Sequence, residues 1–217
     1  MTTFPNSPKL LKGGLVLIDP ETAMVQRIIA LQYNPDSLSR SFQIKGVGAE
    51  GGDRSEALRL KGPPVETIKV EADLDATDQL EFAEAKATAV GIHPQLAALE
   101  TIVYPTSGQL LANNRLAQAG KLEITPMETP LLLFVWSKTR VVPVRLTEFS
   151  VTEEAFDPAL NPIRAKVSLG MRVLTVDDVG FSHKAGTLFM SYLQVKEQLA
   201  AQHQGGSLNV LGIGAIP

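Results

Sequence analysis

The sequence predicts an α+β fold, mainly antiparallel β, with a helical insert at its middle and a helix near its end. Three observations carry this. Runs with an apolar period of two occur in both halves of the chain, and the period changes to helical spacing between about residues 77 and 104. Strands and helices do not alternate one by one, which argues against a doubly wound parallel sheet. One-faced alternation instead favours antiparallel sheets, closed as a barrel or packed as a sandwich.

In chain order, residues 1–14 are rich in Pro, Ser, Thr and Gly and read as an N-terminal arm. Residues 15–19 and 27–33 are short β-like runs around a turn at 20–22, a hairpin pattern. Asn34-Pro35 breaks the second run. Leu38, Arg40, Phe42 and Ile44 alternate with polar neighbours, so a half-buried strand with one imperfect position, Arg40, is expected. Residues 46–54 form a glycine-rich loop. The cleanest strand of this half is 67–75, with Ile68, Val70, Ala72 and Leu74 on one face and Lys69, Glu71 and Asp73 on the other.

Leu80, Ala83, Ala87 and Val90 then sit at helical spacing, with Gly91 as the stop. Pro94 opens a second helix carrying Leu96, Leu99 and Val103, and Pro105 closes it. Residues 107–120 are compatible with a loop or a short helix. The β pattern returns at 131–136, a continuous apolar run ending in Trp136, expected as a core or subunit-contact aromatic. Val142, Val144 and Leu146 share one phase and Phe149 and Val151 the other, so a β-bulge is expected at Thr147-Glu148. Residues 164–173 alternate without error. The last helix, about 188–202, places Leu188, Tyr192, Val195 and Leu199 in one stripe, and a glycine-rich tail follows. The domain reading is an arm (1–14), a β domain with its insert (15–180) and a C-terminal helix with a flexible tail (181–217).

A chain of 217 residues with 44% apolar and 20% charged residues is long enough to bury a core. Its net charge of −3 and lack of a basic run argue against a nucleic-acid partner. With no cysteine, disulfides and thiolate sites are excluded. No secretory pattern or run of about 20 apolar residues is seen, so cytoplasmic synthesis without membrane insertion is expected.

Gly46, Gly48 and Gly51 match a dinucleotide-binding spacing, but no crossover helix follows, so the segment reads as a loop. His93, His183 and His203 are scattered and read as turn or surface histidines, not as metal ligands. Glu153-Glu154 and Asp177-Asp178 are sequential neighbours, which is no arrangement for an acid–base pair, and read as solvated loop charge. No cofactor, metal or catalytic residue is expected.

Two stretches carry a family resemblance. Tyr33-Asn34-Pro35, followed by Leu38, resembles a signature near the start of tube-type baseplate proteins of contractile injection systems. The more specific one is Phe156-Asp157-Pro158-Ala159-Leu160-Asn161-Pro162, running into the amphipathic strand at Arg164. It is similar to the same family, which includes antifeeding-prophage-like particles, and the resemblance covers about residues 15–180. It implies a tail-tube-like fold and a homo-hexameric ring at the baseplate end. Such a ring joins the inner-tube protein to the spike hub beside the baseplate wedge proteins, in a cytosolic, membrane-docked or released particle. Many relatives carry a C-terminal LysM module; this chain departs from them, with a helix and tail after Gly180.

Beside the resemblance, the alternating polar face Arg164, Lys166, Ser168 and Arg172 suits a lumen, a subunit contact or plain solvent. The Asn-Pro and Asp-Pro steps read as structural turns. In the tail, Leu208, Val210, Leu211, Ile213 and Ile216 suggest an arm that orders on a partner. Two alternatives to the adaptor ring stay open: a main inner-tube subunit stacked along the particle, and a β-barrel module binding a small molecule.

Overall fold

The computed structural model describes residues 11–46, 59–120 and 129–216. Among these residues seven strands make one antiparallel sheet: β1 (Gly14–Ile18), β2 (Val25–Ala30), β3 (Leu38–Gln43), β4 (Val65–Asp75), β5 (Leu131–Ser137), β6 (Arg140–Phe156) and β7 (Pro162–Val173). Their order across the sheet is β2-β1-β5-β6-β7-β4-β3. The mainly antiparallel α+β expectation holds, with a correction: the sheet of one chain does not close into a barrel, and β2 and β3 remain as edges.

Alternation places the core. Ile68, Val70, Ala72 and Leu74 on β4 and Ala165, Val167, Leu169, Met171 and Val173 on β7 are all buried. Register lines them up: Ile68 opposes Met171, Val70 opposes Leu169, and Ala72 opposes Val167. The long hairpin β6–β7 keeps this phase only because its register shifts between Leu146 and Glu148, where Thr147 Oγ1 donates to the Gly170 carbonyl at 3.1 Å. The bulge thus sits where the slip in apolar phase requires it, since a one-residue slip would turn the apolar set outward. β1 and β5 are buried on both faces. Leu15, Leu17, Leu132 and Phe134 join the large cluster. Ile18, Leu131 and Leu133 form a second one with Ala185.

The hairpin β1–β2 is closed by Asp19, whose Oδ1 accepts from the Thr22 amide at 2.7 Å. β2 is shorter than the predicted run and ends at Ala30. β3 departs from expectation: it ends at Gln43, before Ile44, and both Phe42 on this edge strand and Ile44 beyond it are exposed. Gly46 bridges to Leu60, and the rest of the glycine-rich loop lies outside the described residues.

Among the described residues between β4 and β5 lie four helices: α1 (Thr77–Glu81), α2 (Ala85–Val90), α3 (His93–Glu100) and, beyond the expected insert, α4 (Ser107–Gln118). The single helix expected over 80–90 is broken at Ala83, which has φ 50°. Leu96 and Leu99 of α3 enter the core, whereas Val103 lies beyond the helix and is exposed. Residues 107–118 are helical, started by a capping box between Thr106 and Gln109, and none of them is buried.

After β7 come α5 (Val176–Val179) and α6 (Lys184–Ala201). The Asp177-Asp178 pair is not loose loop charge. Asp178 accepts from the Thr175 amide at 2.9 Å, capping α5, and from Arg172 at 2.6 Å. His183 caps α6, its Nδ1 accepting from the Ala185 amide at 3.1 Å. The buried stripe of α6 is Ala185, Phe189 and Tyr192, and the predicted member Leu199 is exposed. A 3₁₀ helix, Leu208–Leu211, interrupts the tail.

Candidate assembly interface

The second motif builds the turn between β6 and β7. Asp157 Oδ1 accepts from the Ala159 and Asn161 amides, each at 2.8 Å, and its Oδ2 accepts from Asn161 Nδ2 at 2.8 Å. These bonds, those from Asn161 first, lower the Asp157 pKa. Leu160 takes a positive φ of 65°, and Pro158 pre-sets the turn. Phe156 and Leu160 are exposed, 49% and 78%.

This turn also receives the insert. The Pro162 carbonyl accepts from the Ile92 amide at 2.9 Å, and Asn161 Nδ2 donates to the Ala89 carbonyl at 3.3 Å. Gly91, at φ 57°, lies so close that an added Cβ would stand 2.1 Å from the Pro162 oxygen. Glycine is required there for both reasons.

The first motif pins the chain entering β1. Asn34 Oδ1 accepts from the Gly13 amide at 2.9 Å, and its Nδ2 donates to the Leu11 carbonyl at 2.7 Å. Pro35 is half-buried and Tyr33 is exposed. The neighbour that sequence reading passed over is Gln32. Its side-chain amide meets the Asp75 backbone on both sides, accepting from N–H at 2.9 Å and donating to the carbonyl at 2.5 Å. Gln32 therefore ties the end of β2 to the end of β4, two strands that share no ladder. The Asp75 carboxylate accepts from Arg164, two residues after Pro162 of the second motif, at 2.9 Å. Both motifs thus converge on the end of β4.

The predicted polar face is one continuous outer surface of β4, β7 and β6. Arg164 pairs with Asp75, Lys166 with Glu154 at 3.3 Å, Lys69 with Glu148 at 2.8 Å, and Arg172 with Asp178. Ser168 sits between Glu71 and Ser150 in register. Arg172 is the least exposed of the four, because α5 packs its cap against it.

A second feature left unpredicted is a buried charge cluster. Glu66 is buried, with a side chain 4% exposed. It accepts from Arg40 at 2.7 Å, Lys196 at 2.8 Å and the Tyr192 hydroxyl at 3.1 Å. Phe42 lies 5.0 Å from the Arg40 guanidinium and 5.4 Å from the Lys196 ammonium. Burial first, and the Glu66 charge second, push the Tyr192 pKa up to about 12. The imperfect position Arg40 was the only sequence clue: a cation on the apolar phase of a strand needs a buried counter-charge. The cluster fastens α6 to β3 and β4.

The tail residues Leu208, Val210, Leu211, Ile213 and Ile216 are all exposed. Trp136 is half-buried and stacks on Phe134 with ring centroids 5.9 Å apart. No group of three or more potential metal ligands occurs among the described residues. No helix there is long and apolar enough to cross a membrane.

The family model for the contractile injection system tube protein matches residues 17–175, the greater part of the chain and nearly the whole sheet. This chain belongs to that family. A comparison with curated proteins finds no match. The match takes in both motifs and stops just before α5, so α6 and the tail of this tube protein lie beyond it.

Proposed function

We propose that this tube protein is a structural subunit that works as a ring of six at the baseplate end of a contractile injection particle. The ring joins the inner-tube protein to the spike hub, with baseplate wedge proteins around it. Its work is holding neighbours in register, not turning over a substrate. One observation carries the reading: the sheet ends in two edges, β2 and β3, with no strand beside them among the described residues. They expose Val25, Ile28 and Phe42. Such edges invite pairing with another chain, and joining one copy's β3 side to the next copy's β2 side removes both. On this reading the polar face with Arg164, Lys166 and Ser168 turns to the lumen or a subunit contact.

The apolar tail beyond the family match favours the adaptor role over a main tube subunit, since a stacked repeat needs no extra arm. Cryo-electron microscopy of native particles, with copy number by quantitative mass spectrometry, tests this. The expected result is one ring per baseplate, next to the spike. Copies in great excess over spike would establish the main tube subunit instead. A monomer never found in a sheathed particle would sink both.

A further inference from the structure

Helix α6 crosses the sheet and runs off its edge. Its start packs on β1 and β5, where Ala185 clusters with Ile18, Leu131 and Leu133. Phe189 and Tyr192 then enter the main core, and Tyr192 and Lys196 donate to Glu66 on β4 at 3.1 and 2.8 Å. Arg40, on the outermost strand β3, donates to the Tyr192 hydroxyl at 3.0 Å, and the Lys196 ammonium stands 5.4 Å from the Phe42 ring on the same strand. In sheet order this is a path from β1 and β5 to β3, beyond which no strand lies among the described residues. Positions 185, 189, 192, 196 and 199 follow one another at steps of four and three, so they share one helix face. Ala185, Phe189 and Tyr192 are buried, whereas Leu199, on that same sheet-facing stripe, is 48% exposed. The sheet ends before Leu199 is reached.

The overhang has room for one strand. From Glu197 to Ala201, α6 runs about 7.5 Å past Lys196, and a strand added to β3 sits about 4.8 Å away. Side chains on the α6 side of that strand would meet Leu199 above them and Phe42, 47% exposed, beside them. The occupant therefore needs a free strand edge and apolar side chains. This chain carries both on β2, the other edge of the sheet, where Val25 and Ile28 are exposed. The β2 of the same copy is held elsewhere. Arg27 donates to the Ala98 carbonyl and Thr101 Oγ1 at the end of α3, and Gln32 binds the Asp75 backbone, whereas Phe42 pairs in register with Glu66. Positions 66 and 75 are about 30 Å apart along β4 at about 3.3 Å per residue. A β2 strand beneath the overhang must come from another copy.

We infer that α6 and β3 form a slot one strand wide, and that β2 of a second copy fills it, pairing with β3 and covering Leu199 and Phe42. The inference rests on the self-association proposed above and gives α6, which lies beyond the family match, a part in it as the roof of the joint. The contact is heterologous, since β3 and β2 are different surfaces of one chain, so each copy both receives a strand and offers one. The Glu66 cluster acts as the positioning group: it fixes α6 over β3, where the added strand enters.

The test uses the full-length protein, with assembly read by mass photometry over a dilution series and hydrogen exchange compared between monomer and assembly. Expected on assembly is slower exchange in residues 25–30, 38–43 and 196–201. Leu199→Asp should raise the concentration of half-assembly roughly tenfold, and so should Val25→Asp with Ile28→Asp, while the monomer keeps its melting temperature. Thr139→Asp, in the β5–β6 turn, should change neither. The exchange comparison needs no variant, so it decides even where a substitution unfolds the chain. Assemblies whose residues 196–201 exchange as in the monomer, or that form as readily with Leu199→Asp, overturn the roof and leave self-association standing. Unchanged assembly after the β2 substitutions overturns β2 as the occupant. A monomer that already protects β3, and loses that protection when 205–216 are deleted, assigns the slot to the chain's own tail and overturns the proposal too. Monomer at every concentration removes the self-association reading, and the slot with it.

Discussion

The centre of the sheet and its margins place apolar residues in opposite ways. On β4, β7 and the first half of β6, each apolar residue of the alternating phase is buried or, at Leu146, half-buried in the core. On β2, β3 and the tail, Val25, Ile28, Phe42, Val210 and Leu211 stand in water. The centre needs nothing outside the chain to complete it. The margins carry apolar surface that contributes little to folding and is available to a partner. For a tube protein, this separates the residues that make the subunit from those available to a partner.

The comparison breaks first if the centre is not what holds the fold. Phe134 is fully buried, and Phe134→Ala should cost about 4 kcal/mol in chemical denaturation. A loss under about 1 kcal/mol would mean the core is elsewhere. Gly91→Ala should come next, at about 3 kcal/mol, since the methyl must displace the Pro162 carbonyl while holding φ 57°. An unchanged melting temperature would show that the insert does not dock on the β6–β7 turn.

Glu66→Gln sharpens the boundary between the regions, because this carboxylate joins α6 to an edge strand. A loss of about 2 kcal/mol is expected, with faster hydrogen exchange in α6 than in β7. Tyr192 supplies a pH test of the same contact. Its folded pKa of about 12 lies above the ordinary 10.0, so the folded state holds the proton more tightly. Its contribution is complete below pH 10 and is lost as pH rises toward 12. Tyr192→Phe should flatten that alkaline decline in a pH series of melting temperatures, and an identical decline would remove Tyr192 as its cause.

At the margin, Val210→Ser with Ile213→Ser should shift subunit stability by less than about 0.5 kcal/mol while ring recovery falls. A large loss of monomer stability would place the tail in the fold and erase the contrast. The smallest effect is expected on the polar face: Lys69→Ala removes an exposed ion pair with Glu148 and should change stability by about 0.3 kcal/mol.

Much of this was legible in the residues themselves. Period-two alternation at 67–75 and 164–173 determined which side chains are buried on β4 and β7, because pleating sends neighbours to opposite faces regardless of context. The slip at Thr147-Glu148 located the bulge for the same reason. The Asp-Pro and Asn-Pro steps marked turns, since Asp157 and Asn34 act on backbone groups close to hand or on the adjoining chain entry. What periodicity left open depended on distant neighbours. Phe42 and Leu169 each sit in an apolar alternation, but only strand order made one an edge residue and the other core. Ala83 broke a helix whose spacing was continuous, because its backbone, at φ 50°, leaves the right-handed helical region. Gln32 with Asp75, and Arg40 with Glu66 and Lys196, lie tens of residues apart or more, so no local rule connects them. The sequence by itself determined the strands, their faces and their family; the tertiary structure alone decided which strands became edges, because that depends on pairings made across the whole chain.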